Sequence, residues 1–350
     1  MKTITVNASK TYDVVIGNGI LPEIGSRCRE LSAAKTVALI SDSNVAPLYA
    51  KNVEDSLTGA GFRVVSFVFP AGEQSKNADV YLQILAFLAE NQLGRKDLIV
   101  ALGGGVCGDM AGFAAATYLR GIDFVQVPTS LLAMVDSSVG GKTAIDLPQG
   151  KNLVGAFHQP ILVLCDMALL ETLPQENFLD GCGEIVKYGV LGDRNLLKLL
   201  TETKICFPRE DVIARCVEMK RDVVNADEFE GGLRMLLNLG HTLGHAVEKC
   251  SHFSLSHGAC VAIGLAVVTR GAVKKGYCSA EDGKAILSAI SALGLPSETA
   301  IGMDDLMDSM LNDKKRTSGS ITCVVPYGIG DCRRETMTLM EVRNFMEAGM

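Results

Sequence analysis

The stretch LIVALGGGVCGD, residues 98–109, decides the fold expected for this chain. A short apolar run is followed directly by Gly103, Gly104, Gly105 and Gly108, and then by residues with helical periodicity. This order satisfies the pattern G-x-G-x-x-G, in which glycines let backbone N–H groups approach a pyrophosphate at a helix N-terminus. A glycine-rich turn that binds nothing remains the alternative. The stretch therefore predicts a strand, a glycine turn and a helix of a nucleotide-binding fold.

The residues around this motif alternate between strand-like and helix-like segments. Helical periodicity occurs at 45–60, 78–91 and 109–119, and several of the strand-like runs are apolar on both faces, as in parallel sheets covered by helices. The motif lies after a later strand than the first, unlike an ordinary dinucleotide fingerprint. We predict an α/β, Rossmann-like nucleotide-binding domain over residues 1–172. Its predicted strands are TITVN, YDVVIG, TVALISD, VVSFVFP, LIVALG, FVQVP and ILVLCD.

The second half of the sequence is predicted to be mostly helical. Pro174 interrupts the chain before this half, and one late strand, ITCVVP, is the exception to the helical pattern. We expect an α-helical metal-binding domain over residues 173–350 and an active site in the cleft between the two domains. The predicted helices span 178–191, 212–227, 233–249, 259–275 and 280–293.

The composition excludes several classes of protein. Lys plus Arg number 33 and Asp plus Glu number 40, and the net charge of −7 argues against a nucleic-acid-binding or membrane-surface protein. The 11 cysteines contain no C-x-x-C pair, which favours reduced thiols over disulfides or a cysteine zinc site. The N-terminal MKTITVNASK lacks the apolar segment of a signal peptide, so we expect a cytoplasmic location.

Histidines cluster in one segment of the second half. Four of the 5 histidines lie at positions 241, 245, 252 and 257. Helical spacing places His241, His245 and Glu248 on one face, and His257 lies at the start of the next helix. A catalytic zinc ion requires three N or O ligands and an open position. The segment resembles H-E-x-x-H, but Thr242 replaces the glutamate. Spacing leaves open which histidines bind, and histidines without a metal remain the alternative.

Other polar residues next to strand ends and glycine turns indicate an anionic ligand. Asp42 and Asn44 follow a strand and could bind ribose hydroxyls, although an Asp there is often a cap. Val139–Thr143 ends like a P-loop, but Asp136 occupies the position of its first glycine, so that interpretation fails. Together with the metal and nucleotide patterns, the basic residues near these motifs favour a small, strongly anionic substrate, with solvated helix faces as the alternative. These basic residues are Arg120, Lys142, Lys151, Lys187, Lys220, Arg234 and the lysines and arginine of 313–316.

Five long motifs of the chain carry a family resemblance. They are residues 103–146, GKNLVGAFHQP (150–160), GEIVKYG (183–189), NLGHTLGHAVE (238–248) and SHGACVAIG (256–264). These motifs resemble those of the 3-dehydroquinate synthases. The resemblance covers nearly the whole chain, and the wider superfamily includes other sugar-phosphate cyclases and metal-dependent glycerol dehydrogenases. It implies NAD and Zn²⁺, with Co²⁺ as a substitute, a sugar-phosphate substrate and a homodimer.

The resemblance also implies a set of site residues. It assigns the metal to Glu184, His241 and His257, makes His245 a catalytic residue beside them, and leaves His252 without a role. For NAD it implies Asp42, Asn44, Gly72, Glu73, Gln74, Ser75, Lys76, Gly104, Gly105, Val106, Cys107, Gly108, Asp109, Thr129, Ser130, Lys142, Lys151 and Thr172. For the substrate and catalysis it implies Asp136, Lys142, Asn152, Lys187, Lys220, Arg234, Asn238, His245, Lys314 or Lys315, and Arg120 reaching across the homodimer.

The implied reaction is a lyase reaction that leaves NAD unchanged. The substrate, 3-deoxy-D-arabino-heptulosonate 7-phosphate, would be oxidised transiently, lose phosphate, be reduced again, and close to a carbocycle after ring opening. The alternatives are another sugar-phosphate cyclase, an NAD-linked metal-dependent polyol dehydrogenase, or a metal-free NAD-binding protein without catalysis. The chain departs from the family pattern at Cys107, Ser130, Met134, Ala144 and Asp146, and Ser130 keeps the hydroxyl group of the usual threonine.

Overall fold

The computed structural model describes residues 1–313 and 319–350, and it divides into two compact units. The first unit contains Met1–Leu173 and Ile213–Phe229, and the second contains Pro174–Val212 and Glu230–Met350. The first unit thus includes a helical segment from the second half of the sequence. Assignment of 1–172 and 173–350 to separate functional domains stays a prediction.

The first unit is built on a seven-stranded sheet. Its order is β1-β2-β9-β6-β5-β3-β4; β1 pairs with β2 antiparallel, and the other neighbours pair in parallel. All seven strand segments predicted for this domain are strands of the sheet. A separate antiparallel pair, β7 and β8, was not predicted. The strands are β1 (Lys2–Asn7), β2 (Thr11–Gly17), β3 (Thr36–Asp42), β4 (Arg63–Phe69), β5 (Leu98–Gly103), β6 (Asp123–Pro128), β7 (Lys142–Leu147), β8 (Gly150–Phe157) and β9 (Leu162–Asp166).

Helices of the first unit connect these strands: α1 (Ile24–Leu31), α2 (Ala46–Gly59), α3 (Ala78–Glu90) and α4 (Gly105–Thr117). The predicted start of α4 at Asp109 is wrong, because the helix begins inside the glycine motif. Tertiary packing explains these glycines: a Cβ at Gly108 would lie 2.6 Å from Gln126 Oε1, and one at Gly112 would lie 2.5 Å from Thr143 Cγ2. Close contact with β6 and β7 therefore outweighs the low helix propensity of glycine.

The helices that follow are mostly part of the second unit, although α7 belongs to the first unit from Ile213 onward. The predicted continuous helix 233–249 is wrong. A short 3₁₀-helix, Leu233–Asn238, ends before Gly240. The left-handed backbone of Gly240, with φ of +79°, separates this helix from α8. The elements are α5 (Gln175–Gly192), α6 (Arg194–Thr203), α7 (Arg209–Ala226), α8 (His241–Cys250), α9 (His257–Lys274), α10 (Ala280–Ala292), α11 (Met303–Asp313), β10 (Ser320–Gly328), β11 (Asp331–Thr338) and α12 (Leu339–Gly349).

The second unit also contains an antiparallel pair of strands, β10 and β11. The late strand predicted at ITCVVP lies in β10, but its antiparallel partner β11 was missed, because β11 is charged and largely exposed. Among the described residues, no helix combines the length and the apolarity needed to cross a bilayer.

Candidate functional site

A carboxylate and two imidazoles converge in the second unit. Glu184 lies in α5, while His241 and His257 are the first residues of α8 and α9. Glu184 Oε1 is 3.3 Å from His241 Nε2 and 3.1 Å from His257 Nε2. One ligand atom from each of the three residues lies within 4.8 Å of the others. Two imidazole nitrogens and a carboxylate oxygen form a donor set that suits a catalytic zinc ion.

The second nitrogen of each imidazole orients the ring toward this centre. His241 Nδ1 is 3.0 Å from the carbonyl oxygen of Leu239. A carbonyl only accepts hydrogen bonds, so Nδ1 carries a proton, and Nε2 is the nitrogen that faces Glu184. His257 Nδ1 faces Glu248 Oε2 at 3.7 Å. Histidines that bind metals are usually oriented in this way by a carbonyl or a carboxylate.

Charge around the cluster favours an ionised carboxylate and a nearby positive charge. Burial would raise the pKa of Glu184, but Lys187 and His241 lower it well below its ordinary value. Lys187 Nζ lies 2.5 Å from Glu184 Oε2. Burial would lower the pKa of His257, but Glu184 and Glu248 outweigh it and raise this pKa to about 10. The two carboxylates therefore favour a positive charge in the cluster.

Close packing of helix backbones fixes the three residues relative to one another. A Cβ at Gly183 in α5 would lie 2.3 Å from the carbonyl oxygen of Gly258 in α9. A Cβ at Gly264 in α9 would lie 2.0 Å from the carbonyl oxygen of Gly240, which precedes α8. Glycine at these positions lets α5, α8 and α9 approach within backbone contact, which brings Glu184, His241 and His257 together.

His245 and His252 are placed differently from the other two histidines of the segment. The His245 ring centroid is 5.4 Å from that of His241 and 6.0 Å from that of His257. His245 is exposed and forms a second possible triad with Glu248 and His257. His252 lies exposed in the turn after α8 and belongs to neither group. The structure thus separates histidines that spacing alone left equivalent.

The glycine motif forms the start of α4 in the first unit. Gly104 is the N-cap and has no side chain that could cover the first-turn N–H groups. A Cβ at Gly104 would have Ser130 Oγ, at 3.5 Å, as its nearest neighbour, and Thr129 N donates to the carbonyl oxygen of Gly103 at 3.0 Å. Exposed N–H groups at a helix start bind phosphate oxygens well. The arrangement therefore fits the pyrophosphate of a dinucleotide.

Cys107 in the glycine motif and Asp42 at the end of β3 both make contacts within the protein that bear on their possible roles in NAD binding. The thiol of Cys107 is buried and lies 3.3 Å from the carbonyl oxygen of Ile40, and burial raises its pKa well above the ordinary value. Cys107 could therefore contribute only its backbone to a cofactor. Asp42 Oδ1 accepts hydrogen bonds from the backbone N–H groups of Asn44 and Val45, so the carboxylate also caps the turn after β3.

A buried lysine connects the turn Gly72–Lys76 to α4 and β8. Lys76 Nζ donates to Asp109 Oδ2 and to Asn152 Oδ1, both at 2.6 Å. Asn152 has a left-handed backbone, with φ of +56°, and its N–H donates to Asp146 Oδ1 at 2.8 Å. The contacts join three residues that the family resemblance implies for NAD or substrate. Within the turn, Glu73 Oε1 lies 3.2 Å from Lys151 Nζ, and Gln74 folds over Gly72.

The remaining site residues expected from the sequence are distributed over both units. In the first unit, Lys220 Nζ donates to the carbonyl oxygen of Asp136 at 2.6 Å and lies 3.2 Å from its carboxylate. In the second unit, Arg234 is buried, and Asn238 Nδ2 donates to Glu230 Oε1 at 3.2 Å. Of the others, Thr172 Oγ1 lies 2.5 Å from Tyr49 Oη, Lys142 is exposed, and Arg120 has a φ of +70°. Lys314 and Lys315 lie outside the described residues.

Comparison with known proteins identifies the family. Residues 66–180 match the model of the 3-dehydroquinate synthase N-terminal region, and residues 181–316 match that of its C-terminal region. A 3-dehydroquinate synthase of Pelobacter propionicus is 47% identical over 343 residues, which cover 95% of each chain. The chain belongs to the 3-dehydroquinate synthase family.

Two solved structures share its fold. A 2-deoxy-scyllo-inosose synthase, solved with carbaglucose-6-phosphate, NAD⁺ and Co²⁺, has a TM-score of 0.90, 23% identity and 100% coverage of both chains. A 2-epi-5-epi-valiolone synthase from Streptomyces hygroscopicus, solved with NAD⁺ and Zn²⁺, has a TM-score of 0.88 and 25% identity, covering 99% of this chain and 97% of the other. The predicted architecture, an α/β N-terminal domain followed by a helical C-terminal domain, is confirmed.

Sequence reasoning missed two acidic residues that lie directly beside the predicted site residues. Asp180 lies one helical turn before Glu184 and accepts a hydrogen bond from the backbone N–H of Gly258. Asp146 accepts the backbone N–H of Asn152. The four-residue spacing of Asp180 and Glu184 was a readable signal, because it places both side chains on one helix face.

Proposed function

We propose that this chain converts 3-deoxy-D-arabino-heptulosonate 7-phosphate to 3-dehydroquinate and phosphate, with NAD and Zn²⁺ as cofactors. This is the lyase reaction of its family, in the shikimate pathway to the aromatic amino acids. The observation that carries the proposal is the convergence of Glu184, His241 and His257 in a chain 47% identical to a 3-dehydroquinate synthase.

Glu184, His241 and His257 would hold the zinc ion. The orientation of both imidazoles by Leu239 and Glu248 supports this assignment, because it leaves each Nε2 directed at Glu184. A zinc ion in such a site lowers the pKa of hydroxyl groups that bind to it. The same donor set accepts Co²⁺, which we propose as a substitute.

The carboxyl ends of the strands in the first unit would bind NAD, which supplies a reversible acceptor for a hydride. The start of α4 would bind the pyrophosphate, and Asp42 with Asn44 would bind ribose hydroxyl groups. The lack of a side-chain cap at Gly104 supports the first assignment. The other residues proposed for NAD are Gly72 to Lys76, Gly105 to Asp109, Thr129, Ser130, Lys142, Lys151 and Thr172.

Buried cations would bind the carboxylate and phosphate of the substrate. Lys187 and Arg234 are each about 1% exposed, so their charges are held in place and poorly screened by water. Each hydrogen bond between charged groups contributes roughly 1.5–3 kcal/mol. Exposed His245 would take up or release a proton at an imidazole nitrogen. Lys220, Asp136, Lys142, Asn152, Asn238, Arg120 and Lys314 or Lys315 complete the proposed set, and a cytoplasmic homodimer belongs to the same proposal.

The deciding experiment compares phosphate release with the absorbance of NADH. Because the product has the composition of the substrate less phosphoric acid and carries no net oxidation, the hydride removed at the start must be returned before release. We expect continuous phosphate release in the presence of NAD and Zn²⁺ while NADH absorbance stays near its starting value. Accumulation of NADH in step with substrate consumption would identify a dehydrogenase and contradict the proposal.

A further inference from the structure

Asp180 connects α5 and α9, the helices that carry Glu184 and His257. It lies in α5, and its Oδ1 accepts the backbone N–H of Gly258 in the first turn of α9. The hydroxyl of Ser256 donates a hydrogen bond to the same carboxylate. One half-buried side chain of α5 therefore holds the residues on both sides of His257.

These contacts replace an ordinary helix cap. Ser256 is the N-cap of α9, but its side chain makes no capping hydrogen bond to its own helix. The acceptor for a first-turn N–H group comes instead from Asp180 on the neighbouring helix. The backbones also meet here, since a Cβ at Gly258 would lie 1.8 Å from the carbonyl oxygen of Asp180. The start of α9 is thus fixed against α5.

The cap and the cluster depend on the same face of α5. Asp180 and Glu184 are four residues apart, so Asp180 holds the backbone of α9 while Glu184 Oε1 faces His257 Nε2 at 3.1 Å. We propose that Asp180 is a positioning residue of the metal centre, which caps α9 from α5 and thereby holds the His257 imidazole in its ligand position. The inference rests on the proposed function only in that the cluster binds Zn²⁺.

The test measures Zn²⁺ affinity directly, by competition between metal-free protein and a chromophoric chelator. Loss of a partner that orients a metal ligand typically weakens binding by about 10- to 100-fold, and we expect this for Asp180→Ala. Asp180→Asn keeps an acceptor oxygen of the same reach and should bind within about threefold of the wild type. With Co²⁺, Asp180→Ala should also change the visible absorption bands, which report the coordination geometry.

A matched control separates positioning from general stability. Asp193 caps α6 in the same unit by accepting the backbone N–H of Leu196 at 3.0 Å, and α6 carries no residue of the cluster. Asp193→Ala should lower the melting temperature, as loss of a cap does, but leave Zn²⁺ affinity unchanged. If Asp180→Ala does not fold, Ser256→Ala, which removes one of the two hydrogen bonds, should weaken Zn²⁺ binding by a few-fold.

The outcomes distinguish this inference from the proposed function. Wild-type affinity in Asp180→Ala, or in Ser256→Ala where the first variant does not fold, would overturn the positioning role while phosphate release by the wild type continued. Equal weakening in Asp193→Ala would also overturn it. Failure of the folded wild type to bind Zn²⁺ and to release phosphate would overturn the proposed function, and the positioning role with it.

Discussion

Each compact unit contains a buried lysine paired with a carboxylate, and the pKa values of the two carboxylates are shifted in opposite directions. In the second unit, Lys187 Nζ lies 2.5 Å from Glu184, and the pKa of Glu184 is well below its ordinary value. In the first unit, Lys76 Nζ lies 2.6 Å from Asp109, yet the pKa of Asp109 is raised, because burial outweighs the effect of Lys76. A nearly equal distance therefore does not produce an equal effect.

The neighbours of each pair explain the difference. Glu184 has His241 and His257 beside it in addition to Lys187, whereas the charge of Glu73 opposes ionisation of Asp109. At Asp109, Lys76 and Lys220 together do not offset burial, whereas at Glu184 the lysine and the two histidines do. The pair in the second unit thus lies in the candidate metal site, while the pair in the first unit connects a turn, a helix and a hairpin.

The largest expected effect is a loss of Zn²⁺ affinity, which should follow substitution of Glu184 but not of Asp109. Glu184→Gln removes the anionic ligand at nearly constant size, and we expect Zn²⁺ affinity to fall by more than about 100-fold, beyond the usual loss for an orienting partner. Phosphate release should fall with it. Asp109→Asn is the matched control and should bind Zn²⁺ like the wild type. Similar metal loss in both variants, measured by metal analysis after dialysis, would mean that the two pairs do not differ in their role in metal binding.

A second prediction concerns stability. Lys76→Met leaves Asp109 without its cation, and breaking a buried pair costs roughly 3–5 kcal/mol. Asp109 is 19% exposed, so we expect a loss near the lower limit, about 3 kcal/mol, in urea unfolding followed by circular dichroism. Adding Asp109→Leu should restore much of this loss. No recovery in the double variant would mean that Lys76 stabilises the unit through Asn152 instead.

Urea unfolding of Lys187→Met, with and without Zn²⁺, tests whether the pair in the second unit responds to a metal ion. In metal-free protein, Lys187→Met should destabilise the fold, because Glu184 loses its closest cation. With Zn²⁺ bound, the loss should be smaller, since the metal ion replaces the positive charge beside the carboxylate. An identical loss with and without Zn²⁺ would indicate that the metal does not contact Glu184.

Local patterns in the sequence predicted much of the fold. The buried strands β3, β5 and β9 are apolar on both faces, and such runs are recognisable without tertiary information. The missed elements lack this signal. β11 consists of exposed and half-buried residues, and α4 contains Gly108 and Gly112, whose contacts with Gln126 and Thr143 are tertiary.

Prediction of the candidate site was limited by distance along the chain. His241 and His257 belong to one sequence segment, and their clustering indicated a metal without any structure. Glu184 lies far from them in sequence and entered only through the family resemblance. Its place beside both imidazoles depends on the contact of α5 with α9 at Gly183 and Gly258, which no local pattern contains.

A further prediction is that metal binding depends on pH. The carboxylates of Glu184 and Glu248 outweigh burial and raise the pKa of His257 from 6.5 to about 10 in metal-free protein. The resulting stabilisation is fully present below the lower value and is lost as pH rises through the higher one. Because Zn²⁺ binds the neutral imidazole, binding must displace this proton.

Apparent Zn²⁺ affinity should therefore increase about tenfold per pH unit between about pH 7 and 9. Titration calorimetry at pH 7.5 in buffers of different protonation enthalpy should detect about one proton released for each Zn²⁺ bound. Glu248→Gln removes one of the two carboxylates that stabilise the protonated imidazole, so its affinity should level off at a lower pH. If wild-type affinity did not change over this range, His257 would already be neutral, and the cluster would not favour the positive charge that distinguishes it from the pair at Lys76.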